Sequence, residues 1–167
     1  MTVTQYGMKR LTIHNWHQPD PTIALMVGSG EEWARLFLSP QLGANVPEDI
    51  AKLFEVARGA MVYGYQFYPL FTLGFEQLIR IMETAVICRC EMLKLKPHRD
   101  NFDEHINILH KNGKITDDDA EMLQVLRHYR NEASHPKSLA ILTPALANAG
   151  LKAIVAQLNS MFSETIV

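Results

Sequence analysis

The chain has 167 residues, 47% of them hydrophobic and 20% charged, and a net charge of −2 with its histidines neutral. That length suits one domain with one core, and the composition excludes wholesale disorder. The charge balance excludes a generally basic protein that coats nucleic acid, while leaving room for a local basic site.

Residues 1–45 read as an irregular N-terminal arm. Pro19-Asp20-Pro21 and Gly28-Ser29-Gly30 are turn signals. Ser29 or Gly30 can cap a short helix through Glu31, Glu32, Trp33, Leu36 and Phe37, closed near Pro40. Gly28-Ser29-Gly30 is too short for a phosphate loop. His14 and His17 flank Trp16 without a credible third ligand, so no metal site is expected there. The arm is expected to pack on the main domain or on a partner subunit. No long apolar run follows Met1, so no secretory signal is expected.

Residues 46–167 read as a helical bundle. A helix begins around Pro47-Glu48-Asp49, where proline and acids suit a first turn. Ile50, Leu53, Phe54, Ala57 and Met61 supply its apolar face. The uncharged run 59–75 is interrupted by Gly64, Gln66, Pro69 and Gly74, which argues against a membrane span.

The longest helix is expected over about Leu70 to Leu95, stopped by Pro97. It has two adjacent apolar rows, Phe71 to Leu95 and Phe75 to Leu93, as a central helix packed on several sides would. Glu76, Arg80 and Glu83 form its polar stripe. They read either as a solvated face or as groups facing chemistry on a neighbouring helix. Cys88 and Cys90, two apart on this helix, read as core residues that neither bridge nor share a metal.

A short helix over about Phe102 to Lys111 ends at Asn112-Gly113. Thr116 caps the next helix, whose first turn holds Asp117, Asp118 and Asp119 in a variant of the capping box. Its expected buried face is Met122, Leu123, Val125, Leu126, Tyr129 and Ala133. A last helix lies within Pro144 to Phe162, with Leu146, Leu151, Ile154, Val155, Leu158, Met161 and Phe162 as its apolar positions. The fold class is therefore all-α, an antiparallel bundle of four to five helices.

Usable chemistry concentrates in the stretch from Leu126 to Pro136. Arg127 and Arg130 are three apart, with Ser134 one turn further on. Two nearby guanidiniums call for an anion or carboxylate between them, and arginine's fork suits phosphate. Pro136 disfavours the α conformation at His135, so the histidine can leave the helical path and turn toward Arg130. A histidine poised near neutrality suits proton transfer.

Arg130-Asn131-Glu132-Ala133-Ser134-His135 resembles the Arg-x4–6-His motif of the HEPN superfamily of α-helical bundles. The resemblance covers about residues 46–165. It implies a metal-independent endoribonuclease of toxin or defence type, with a composite cleft where the motifs of two subunits meet. Arg130 would neutralise the scissile phosphate, His135 would move protons for attack by the adjacent 2′-hydroxyl, and Asn131 would position the arginine, the histidine or the RNA. Arg127 and Ser134 are the candidate substrate-binding residues. RNA, a second copy of the chain and an antitoxin-like protein are the expected partners. No cofactor, metal or membrane is expected, and the expected setting is cytoplasmic. The alternative implied by the same resemblance is a non-catalytic module binding a nucleotide or partner protein.

Overall fold

The computed structural model describes residues 9–133 and 143–163, apart from the side chains of Ala24, Glu132 and Ala133. The described chain is all-helical and contains no strand. Seven helices follow in order: α1 Pro21–Ala24, α2 Gly30–Leu38, α3 Glu48–Tyr63, α4 Pro69–Met92, α5 Phe102–Lys111, α6 Asp117–Ala133 and α7 Pro144–Met161.

The helix starts follow local chemistry. Ser29 accepts a hydrogen bond from the Glu32 amide, Asn101 from Glu104 and Thr143 from Leu146, so each covers a donor that the first turn cannot use. At α6 the box is reciprocal. The Asp119 amide donates to Thr116 Oγ1 at 3.1 Å, and the Thr116 amide donates to Asp119 Oδ2 at 3.0 Å. Asp117 meets His110 Nε2 at 2.6 Å. Two of the three aspartates thus serve the α5–α6 junction.

The helix ends hold one surprise. Gly113 closes α5 in the left-handed region (φ 63°), as Asn112-Gly113 suggests. α4, however, ends at Met92, before Pro97 has any influence. Lys94 adopts φ 55°, while the Lys94 amide reaches Glu91 O at 2.9 Å and the Leu95 amide reaches Cys90 O at 2.9 Å. This is the paired C-terminal closure usually built on glycine. Sequence reading misses it because lysine does not advertise a left-handed turn. Lys94→Gly removes the Cβ strain and is expected to raise stability by about 1 kcal/mol in urea unfolding.

α4 is the central element. Phe71, Gly74, Leu78, Ile79, Ile81, Met82, Ala85, Val86 and Cys90 are all buried along it. α3 packs antiparallel to it across the short 64–68 connection. A Cβ on Gly74 would lie 2.6 Å from Met61 Cγ and 2.7 Å from Ala57 O, so glycine is what lets the two helices approach. α7 lies along α4 in the same direction. Gly150 packs against Phe75 near the start of α4, and Arg89 stacks 6.0 Å over the Phe162 ring near its end.

Residues 20–38 contribute to this core. Ile23, Trp33 and Phe37 are fully buried in the same cluster as α3, α4 and α7. Trp33 Nε1 donates to Met61 O at 3.1 Å and Val62 O at 3.0 Å, closing off carbonyls at the end of α3. This segment of the arm therefore packs on the main domain.

Several expected inward positions face solvent instead: Met92, Val125, Tyr129 and Leu146. Among the described side chains of α6, Leu123 and Leu126 are the buried ones, with Met122 half-buried. The apolar stripe is narrower than its run of apolar letters because α6 meets its neighbours over one side only.

Candidate functional site

The two arginines of α6 leave the helix toward different neighbours. Arg130 crosses to α4, where its Nη2 lies 3.2 Å from Glu83 Oε2 and donates to Oε1 at 3.3 Å. Its Nη1 donates to Asn131 Oδ1 at 3.3 Å. The Arg130 side chain stays 42% exposed and Glu83 21% exposed, so the pair sits where helix packing opens to solvent. These contacts are longer than the roughly 2.7–2.9 Å of tight charge-assisted bonds. Glu83 therefore orients the guanidinium without enclosing it.

Arg127 turns to α5. Its Nε donates to Gln124 Oε1 at 2.7 Å and lies 3.6 Å from Asp103 Oδ1. Gln124 Nε2 donates to the same Asp103 oxygen at 2.8 Å. Three-residue spacing offsets side chains by about 60° on a helix, enough for one arginine to reach α4 and the next to reach α5. Each guanidinium is met by a carboxylate of its own. The anionic compensation that two close arginines call for is partly built into the fold.

Ser134, His135 and Pro136 lie outside the described residues. The candidate set is therefore placed at Arg127, Arg130 and Asn131. Of these, Arg130 and Asn131 come together, and Arg127 belongs to the α5 junction.

Glu83 was legible as part of the α4 polar stripe, and its contact with Arg130 shows that it faces α6. Asp103 and Gln124 were not legible. Asp103 stands in the acidic first turn of α5, where an acid reads as a dipole complement.

The two thiols lie on α4. Burial, helped by Glu91, pushes the Cys90 thiol up to about 11, and its Sγ donates to His105 O at 3.6 Å. Burial also raises the Cys88 thiol, with Glu91 and Asp49 adding to the shift and Arg89 opposing it. Neither is a ready thiolate nucleophile. Among the described residues, no three His, Cys, Asp or Glu side chains gather as a metal site, and no helix is long and apolar enough to cross a membrane.

Comparison with family models, with curated proteins and with solved structures found no match. Fold and site define the chain as an all-α bundle in which an arginine near the end of α6 is held by a carboxylate of the central helix.

Proposed function

We propose that the chain is an HEPN-like endoribonuclease acting as a homodimer, in which Arg130 and His135 from two copies form one cleft. The observation that carries this reading is the Glu83–Arg130–Asn131 arrangement. It presents a pre-oriented, part-exposed guanidinium five residues before a histidine. Pre-orientation matters because a phosphate gains charge in the transition state, and a donor already aimed at it needs no rearrangement.

In the proposed reaction, His135 takes the proton of a ribose 2′-hydroxyl. The 2′-oxygen bonds to phosphorus and the bond to the 5′-oxygen breaks. That oxygen leaves with a proton returned from the paired motif, giving a 2′,3′-cyclic phosphate and a 5′-hydroxyl. Arg130 neutralises the non-bridging oxygens, and Asn131 holds Arg130. The protein acts in the cytoplasm, under control of an antitoxin-like partner.

The chemistry is tested with paired substrates. Single-stranded RNA should be cut to cyclic-phosphate ends. The same strand carrying one 2′-deoxyribose should resist cutting at that position. Equal cutting at the deoxy position would overturn the reaction.

A second reading has its own support. Arg127 and Arg130 already face Asp103 and Glu83, so both cations are partly neutralised from within. A non-catalytic module binding a nucleotide or partner protein beside Arg130 fits that arrangement. It predicts no cleavage, and loss of binding in Arg130→Ala.

A further inference from the structure

The seam between α4 and α6 continues past Glu83. Gln124 on α6 bonds Asp103 at the start of α5, and His105, just beyond, accepts from Cys90 near the end of α4. Arg130, further along α6, meets Glu83, which stands earlier on α4. α6 therefore runs against α4, and its last turn descends toward the stretch of α4 that precedes Glu83.

Arg80 stands on that stretch, one helical turn before Glu83, and is exposed. Residues three apart share a helix face, with about 5–6 Å between their Cβ atoms. Glu83 thus has Arg130 in contact across the seam and Arg80 beside it on its own helix.

Ion pairing along this seam is uneven. Arg127 has Asp103 and Arg130 has Glu83. Among the described residues, no carboxylate lies within 4.0 Å of Arg80. Glu76, placed one turn earlier at i,i+4 spacing, is half-buried and does not reach it. The hydrogen bond made at Arg80 uses its backbone carbonyl, which accepts from Thr84 Oγ1 at 3.1 Å, and leaves the guanidinium for a ligand. An anion binding there displaces water and counterions and breaks no ion pair.

We propose that Arg80 is a second phosphate contact of the Arg130 cleft, holding the phosphate next to the scissile one in single-stranded RNA. This rests on the RNA reading of Arg130. Arg80 and Glu83 are about 4.5 Å apart along the helix axis. Arg80 and the Arg130 that Glu83 holds can therefore reach successive phosphates of one strand. The planar fork of arginine matches phosphate oxygens at both places. Standing one phosphate away from the bond that breaks, Arg80 serves to hold the strand.

The test measures the fluorescence anisotropy of a dye-labelled 2′-O-methyl RNA, which lacks the attacking hydroxyl and stays whole, with the full chain over a range of salt. Arg80→Ala should bind about fivefold more weakly at about 0.1 M salt, and its plot of log affinity against log salt should be shallower by about 0.7, the value of one phosphate contact on a single strand. Arg80→Lys keeps the charge and should keep the slope. Lys114→Ala removes an equal charge at the α5–α6 turn, the other end of α6 from Arg130, and should bind like wild type. Circular dichroism should be the same for all four proteins. Equal affinity and slope in wild type and Arg80→Ala overturn the role of Arg80, while the RNA reading keeps the binding of the wild type. Equal losses in Arg80→Ala and Lys114→Ala overturn it too, since net charge would then be the cause. Binding that depends on Arg80, in a protein that leaves ordinary RNA uncut, supports the contact and removes the nuclease reading. No binding by wild type removes both.

Discussion

Trp33→Ala is expected to destabilise the protein by about 3–5 kcal/mol, read as a lower midpoint in urea unfolding. Trp33 is fully buried and contacts Phe37 and Phe71, with ring centroids 4.9 and 5.4 Å away. Removing the indole leaves a cavity at the meeting point of α2, α3 and α4. It also strips the Met61 and Val62 carbonyls of the N–H they share. Trp16→Ala provides the control. Trp16 faces solvent, and its loss should change stability by no more than about 0.5 kcal/mol. A Trp33→Ala cost below about 1 kcal/mol would mean that the first helices lie on the bundle without belonging to its core.

The second large effect concerns the arginine. Arg130→Ala is expected to lower RNA cleavage by about 10²–10³-fold, the loss typical of one pre-oriented donor to transition-state charge. Glu83→Gln should lower it less. The amide keeps a hydrogen-bond acceptor for Nη2 but gives up the charge that holds the guanidinium in place. The double variant should be no worse than Arg130→Ala alone, since Glu83 acts through Arg130. Independent, multiplying losses would show that Glu83 works by another route. Initial rates at saturating RNA, measured for all four proteins, decide this.

Much of the bundle was legible because helix signals are local. The Thr116 box, the Gly113 stop and the Ser29 cap depend on residues within four positions of one another. The end of α4 was not legible, because Lys94 takes a conformation that its side chain does not favour. The outward turn of Val125 and Tyr129 was also hidden, since apolar spacing reveals a face and not how much of it a neighbour covers. Trp33 and Phe37 showed a short helix; where that helix docks depends on α3 and α4, whose contacting residues Met61 and Phe71 lie well beyond it in sequence.

The site divides in the same way. Arg130 and Asn131 stood out because they cluster in sequence. Glu83 lies 47 positions away from Arg130, and Asp103 lies 21 positions from Gln124. Their contacts come from how α4, α5 and α6 pack, which periodicity alone does not determine. The spacing of Arg127 and Arg130 suggested one shared anion. Packing instead provides two carboxylates, one on each neighbouring helix.

The most direct measurement is cleavage of single-stranded RNA in EDTA by wild-type protein and by His135→Ala, with circular dichroism confirming that both are folded. The proposed function predicts cutting by the wild type and none by the variant. Equal cutting by the two, or no cutting by either, would contradict it.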